Sequence, residues 1–232
     1  VTGGILTLSW FSSLYGKCII NIDNGYKERN QMTELRQVDE ENKVFTVPVG
    51  ISNRHIHLTQ EDLETLFGKG YELTKVKDLS QPGEYAAKEK VIIVGPKGSI
   101  EGVRVLGPLR KKTQVEISLT DAYKLGVKPP VRESGKLTDS PGITVVGSQG
   151  TIILNEGVIL AARHIHLHTS EAEELGVENG QRVQVEVDNE RGVIFKNVLL
   201  RVGPNYAKEL HLDTDEANGA LLNNGDVVKV LL

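Results

Sequence analysis

Five consecutive residues occur twice in this chain. Arg54-His55-Ile56-His57-Leu58 returns 109 positions later as Arg163-His164-Ile165-His166-Leu167, identical at every position. A repeat of this kind is one supersecondary unit used twice, so the fold must place two similar units side by side. The likeness continues downstream, where a β-rich run ends at Gly107-Pro108 and again at Gly203-Pro204. Setting Ala122 opposite Ala217 lays Glu116-Ile117-Ser118-Leu119 against His211-Leu212-Asp213-Thr214. Each copy thereby gains one further metal-binding side chain at a matching place.

Short β-branched runs predict strands at 91–94, 103–106, 115–119, 143–146, 152–154, 183–187, 198–202 and 227–231, most of them separated by glycine turns. Between them lie helices of two or three turns. Start signals stand at Thr59, at Thr120 before Asp121, and at Ser170 with Glu173 as a capping box, and Gly68, Gly126 and Gly176 stop these helices. The pattern predicts a mainly β fold of two similar small β-barrel domains, capped by short helices. The repeat sets the limits at 44–157 and 158–232, with strands free to exchange between the barrels. Residues 174–183 are similar to the helix-to-strand passage of double-psi barrels.

Five of the six histidines, His55, His57, His164, His166 and His211, fall inside the repeated stretches. On a strand, residues i and i+2 share a face, so each His-Ile-His turns two imidazoles one way and its isoleucine the other. Two imidazoles are an incomplete site, because a catalytic zinc commonly takes three protein ligands and keeps a position open. The repeat alignment supplies the third ligand, giving His55, His57 and Glu116 as one site and His164, His166 and His211 as the other. Zinc or another divalent ion suits both. The sixth histidine, His168, precedes a helix and is expected to be an exposed neighbour. Glu61 completes an approximate cupin spacing, but it sits in a helical first turn, where the helix dipole explains an acid. Among the cations, Arg110 follows the first Gly-Pro and stands near Glu116, placed to grip a phosphate bidentately. Lys111 and Lys112 are expected to be solvated. Arg54 and Arg163 point away from their neighbouring histidines on a regular strand, and so hold the sheet or a more distant phosphate.

With 27 Lys plus Arg against 31 Asp plus Glu, the net charge of −4 offers no general attraction to nucleic acid or an anionic membrane. The single cysteine, Cys18, excludes an internal disulfide and fits a reducing, cytoplasmic setting. Residues 1–43 are expected to form an N-terminal extension, whether disordered, targeting or, for 1–31 upstream of Met32, an over-extension of the chain. Residues 5–22 carry apolar side chains at helical spacing, interrupted by Ser9, Ser12, Ser13, Gly16 and Lys17 well short of a membrane span.

The motif Val49-Gly50-Ile51-Ser52-Asn53-Arg54-His55-Ile56-His57-Leu58, the stretch Gly107-Pro108-Leu109-Arg110-Lys111-Lys112-Thr113-Gln114-Val115-Glu116, Arg163-His164-Ile165-His166 and Glu209-Leu210-His211-Leu212-Asp213 resemble the phosphate propanoyltransferases. These are the phosphotransacylases associated with propanediol-degrading bacterial microcompartments. The resemblance runs from Val47 to Leu232. It implies two β-barrels and two zinc ions in the cleft between them, one on His55, His57 and Glu116 and one on His164, His166 and His211. It makes Arg110 the catalytic, phosphate-binding arginine. The implied reaction moves a propanoyl or acetyl group reversibly between coenzyme A and inorganic phosphate, by direct attack of phosphate on the thioester carbonyl. Coenzyme A is then a substrate, with its contact residues unassigned. The implied setting is the cytoplasm or the interior of a microcompartment, with shell or core proteins, or a second copy of the chain, as partners. Two other classes use the same residues: a binuclear metal-dependent hydrolase and a non-catalytic metal-binding module.

Overall fold

The structure, a computed structural model, describes residues 44–232. Cys18, Met32 and the helical spacing over 5–22 lie outside the described residues. The first repeat opens with strand β1 (Val44–Ser52) and runs through β2 (His55–His57), helix α1 (Gln60–Phe67), β3 (Lys75–Asp78) and β4 (Tyr85–Val94). It continues through β5 (Ser99–Gly107), β6 (Gln114–Glu116), α2 (Leu119–Leu125), β7 (Val131–Arg132) and β8 (Ile143–Val146). After β9 (Thr151–Leu154), the second repeat has β10 (Val158–Ala161), β11 (His164–His168), α3 (Thr169–Leu175) and β12 (Arg182–Val187). It ends with β13 (Val193–Gly203), β14 (Glu209–Asp213), α4 (Thr214–Gly219) and β15 (Val227–Leu231). Among the described residues no helix is long and apolar enough to cross a membrane.

These strands form two sheets. One is a closed six-stranded barrel in the order β1-β14-β11-β13-β12-β15. The other follows β7-β10-β6-β2-β5-β4-β8-β9, with β3 on β4, and curls into a half-barrel. The repeat is visible in the pairing. β2 runs parallel to β5 and antiparallel to β6, with His55 opposite Glu116; β11 runs parallel to β13 and antiparallel to β14, with His164 opposite His211. The sheets do not follow the limits that the repeat sets in sequence. β1, which opens the first repeat, pairs with β14 and β15 of the second, while β10 pairs with β6 and β7 of the first. The offset of the repeat carries β1 onto residues 153–161, so the two copies exchange equivalent opening strands.

The exchange also explains why only one sheet closes. β1 is continuous: its first half pairs with β15 and its second with β14. Its counterpart is broken into β9 and β10 at Asn155-Glu156-Gly157, where Gly157 has φ +132° and an added Cβ would lie 3.0 Å from the Thr113 carbonyl oxygen. Alternation along β1 turns Phe45, Val47 and Val49 into the barrel core, a burial worth roughly 1.5–3 kcal/mol per side chain. A second core forms under the open sheet around Ile56, Leu58, Leu63, Leu66, Val105 and Val115.

The helices stop where the sequence predicts, at Gly68, Gly126 and Gly176, but two of them start earlier. Thr59 caps α1 as expected. Ser118 rather than Thr120 caps α2, and His168 with Glu171 forms the capping box of α3 in place of Ser170 with Glu173. β11 hands over to α3 without a loop and β6 to α2 through Ile117 and Ser118 alone, so a polar side chain at the junction is already in position to accept from the helix N–H groups.

Candidate active site

Each His-Ile-His sits on a central strand, and the period of two does what it predicts. Ile56 and Ile165 are fully buried in the two cores, while the histidines turn to the opposite face. The antiparallel register then brings up the third side chain. The ligand atoms of His55, His57 and Glu116 lie within 4.8 Å of one another, as do those of His164, His166 and His211. Ring centroids are 5.0 Å apart for His55 and His57, and between 4.7 and 4.9 Å within the second group. All six side chains line one cleft of about 680 Å³, together with Arg110.

The donor atoms suit a cation. His57 Nδ1 and both ring nitrogens of His166 are buried without a hydrogen-bond partner, a costly arrangement unless something else satisfies them. Carbonyl oxygens only accept, so His55 donates Nδ1–H to Asn53 O at 2.8 Å and His164 donates Nδ1–H to Ala162 O at 2.8 Å. That fixes the tautomer in both copies and leaves the Nε2 lone pair free, the outer-shell arrangement common to metal-bound histidines. Further side chains steady the third member of each group. Gln114 Nε2 donates to Glu116 Oε1 at 2.5 Å, and Glu209 Oε2 lies 2.6 Å from His211 Nε2. The two supports occupy equivalent register positions, opposite His57 and His166.

Burial pushes His57 and His166 down to about 2 and His164 to about 4, and the neighbouring histidines add to the effect. Neutral imidazoles are the form that binds metal. Burial also opposes charge on His55, but the adjacent Glu116 carboxylate outweighs it and raises the pKa. Glu116 itself is held well below the usual carboxylate range: its burial is overcome by His55, His57 and Arg110.

Arg110 follows the first Gly-Pro, where its backbone N–H donates to Leu58 O at 2.8 Å, and its guanidinium donates to Ser134 Oγ at 2.8 Å and Glu84 Oε1 at 3.1 Å. Lys111 and Lys112 are exposed. Arg54 and Arg163 are tied to the helix that follows the third ligand: Arg54 Nε donates to Asp121 in α2 at 2.6 Å, and Arg163 Nε to Glu216 in α4 at 2.8 Å. His168 caps α3 and stands apart from both triads. Glu61 is exposed on α1. Sequence reasoning passed over Gln114, Glu209, Arg104 and Arg201. Register supplies the signal for all four, since each lies directly opposite a motif histidine.

A sequence model described as phosphate propanoyltransferase matches residues 48–223. The phosphate propanoyltransferase of Thermotoga maritima is 60% identical over 184 residues, covering 79% of this chain and 88% of that protein. The one from Rhodopseudomonas palustris is 53% identical over 186 residues, 80% and 82% of the two chains. The one from Leptotrichia buccalis is 46% identical over 204 residues, 88% of this chain and 97% of its own. On this similarity the chain belongs to the phosphate propanoyltransferase family and is an acyltransferase.

Proposed function

We propose that the chain moves a short acyl group, propanoyl or acetyl, reversibly between coenzyme A and inorganic phosphate, in a cleft that holds two divalent metal ions. The observation that carries this reading is the convergence of two three-ligand groups and Arg110 on one cleft, in a chain of this family. His55, His57 and Glu116 would hold one ion and His164, His166 and His211 the other, zinc being the first choice for imidazole and carboxylate donors. Bound there, the ions supply Lewis acidity for the carbonyl oxygen and charge neutralisation for the phosphate and thiolate.

The chain's own groups do the rest. Arg110, held by Glu84 and Ser134, offers a planar pair of donors to phosphate oxygens and fixes the nucleophile against the thioester. A phosphate oxygen forms the bond to the carbonyl carbon, the carbon–sulfur bond breaks, and the thiol of coenzyme A takes up the proton that phosphate gives up. No protein nucleophile is required.

Release of free thiol from propanoyl- and acetyl-coenzyme A, with and without phosphate and after treatment with a chelator, tests the proposal. Release that needs both phosphate and metal is expected, and the ratio of the two rates gives the preferred acyl group. Release without phosphate would make the chain a thioesterase, and undiminished release after complete metal removal would overturn the two-metal cleft. A microcompartment location belongs to the same proposal. It predicts that the full chain co-sediments with shells and that residues 32–232, though active, do not.

A further inference from the structure

Beside the main cleft lies a smaller hollow of about 210 Å³, whose walls include Arg110, Arg201, Ser134, His166, Tyr206 and one acid, Glu84. Drug-sized ligands occupy pockets of roughly 300–1,000 Å³, so the main cleft suits coenzyme A while the hollow suits a small oxyanion. The two arginines belong to both spaces. Their surroundings differ. Arg110 is balanced by Glu84 at 3.1 Å, whereas Arg201 makes no ion pair among the described residues. Arg201 stands on β13 directly opposite His166, donates Nη2–H to the Tyr206 hydroxyl at 3.3 Å, and carries its guanidinium 5.6 Å from the centre of that ring. Tyr206 in turn stacks on His166, with centroids 4.3 Å apart and planes 8° from parallel. The ring therefore fixes the guanidinium next to a candidate metal ligand while leaving most of its five N–H donors uncommitted. A half-buried cation without a carboxylate, aimed at a hollow that a second arginine shares, is built to receive an anion.

We infer that Arg201 is a second phosphate-binding residue, which grips the transferred phosphate from the His166 side while Arg110 grips it from the Glu116 side. The inference rests on the acyl transfer proposed above. Two forks on one tetrahedral anion orient it as well as bind it, and they pin its attacking oxygen relative to the thioester. Loss of one charge-assisted pair weakens binding by about tenfold or more.

The test compares Arg201→Gln and Arg201→Lys with the unaltered, metal-loaded full chain, by steady-state kinetics and by thermal protection with inorganic phosphate alone. Arg201→Gln is expected to raise the KM for phosphate at least tenfold, leave the KM for propanoyl-coenzyme A within twofold, and abolish the phosphate-induced rise in Tm. Arg201→Lys should recover part of the phosphate binding, which a merely structural role would not predict. Tyr206→Phe, which removes only the hydroxyl that Arg201 contacts, should raise the KM for phosphate by a smaller factor. An unchanged KM for phosphate in Arg201→Gln overturns the inference, as does a rise confined to propanoyl-coenzyme A, which would assign the arginine to the phosphates of the coenzyme. If the unaltered chain shows no phosphate-dependent thiol release at all, the proposed function fails first, a result distinct from either.

Discussion

Arg54 begins the first repeated motif and lines the cleft, yet its geometry makes it a strut, and Arg54→Met separates the two roles. Its Nε donates to Asp121 Oδ2 at 2.6 Å; the Asp121 side chain is 6% exposed and that of Arg54 is 35% exposed. Methionine keeps most of the aliphatic stem and removes the charge, leaving a buried carboxylate with no other side chain within bonding distance of its oxygens. A hydrogen bond to a charged group is worth roughly 1.5–3 kcal/mol. The partly exposed arginine lets water reach the orphaned carboxylate, and the first turn of α2 favours an anion by roughly 0.3–1 kcal/mol. The expected loss is therefore about 2 kcal/mol, or a fall of ~4–8 °C in Tm for a chain of this length. Asp121→Asn should cost about half as much, since the amide oxygen still accepts. Urea unfolding of both single variants and the double variant closes a mutant cycle, and a coupling of about 1 kcal/mol is expected. Single effects that simply add would refute the strut. So would a tenfold rise in the KM for phosphate at unchanged stability, which would make Arg54 a substrate contact.

The equivalent Arg163→Met should destabilise less, because burial raises the pKa of Glu216 and a carboxyl that takes a proton escapes the penalty; urea unfolding at pH 7 and pH 5 should show the loss shrinking at the lower pH. Metal analysis should find two ions per chain, one in Glu116→Ala or His211→Ala, and none when both are changed; an unchanged count in either single variant would remove that residue from its triad. In the metal-free protein His57, His164 and His166 titrate far below the unfolded value of about 6.5, so the unfolded chain binds more protons below that pH and stability is lost as pH falls. His55, whose pKa is raised, opposes this with the reverse sign, one group against three. Melting in chelator should therefore give a lower Tm at pH 5.5 than at pH 7.5, and an equal or higher one would contradict the assignment. Ile165→Ala, which empties a fully buried position between two candidate ligands, should cost roughly 2–5 kcal/mol by denaturant unfolding.

The grouping of the candidate site residues was legible in the sequence, as was the mainly β, barrel-like class of the fold; which strands build which sheet was not. His55, His57, His164 and His166 announce themselves because a two-residue period is a local property of the strand, and Glu116 and His211 follow because a duplicated unit keeps its third ligand at a fixed register. The domain limits do not follow in the same way. A strand's burial pattern says that Phe45, Val47 and Val49 face a core, but both cores are built mainly of aliphatic side chains, so nothing in the alternation tells which one receives them. Gln114, Glu209 and Arg201 escaped notice for a related reason. Each is opposite a motif histidine only once the strands are paired, and pairing between distant segments leaves little trace in a single sequence.

The duplication is symmetrical in geometry and unsymmetrical in charge, and the difference bears on how the cleft divides its labour. Both triads take two imidazoles from one strand and a third candidate ligand from its antiparallel neighbour, but that side chain is the Glu116 carboxylate in one and the His211 imidazole in the other. Glu116, held far down its titration, brings a full negative charge to its triad. The three histidines of the other triad, two of them held neutral by burial, bring none themselves, and the carboxylate on this side, Glu209, stands behind His211 at 2.6 Å. An ion in the first triad would thus meet a carboxylate directly, whereas one in the second would meet Glu209 only through His211 and would have Arg201, without an ion pair among the described residues, beside it. On that reading the stronger attraction for an anion would lie beside Arg201, in the hollow that Arg110 also lines. Exchange of the opening strands locks the two sheets together, so this charge difference falls across a single cleft instead of being divided between two separate ones.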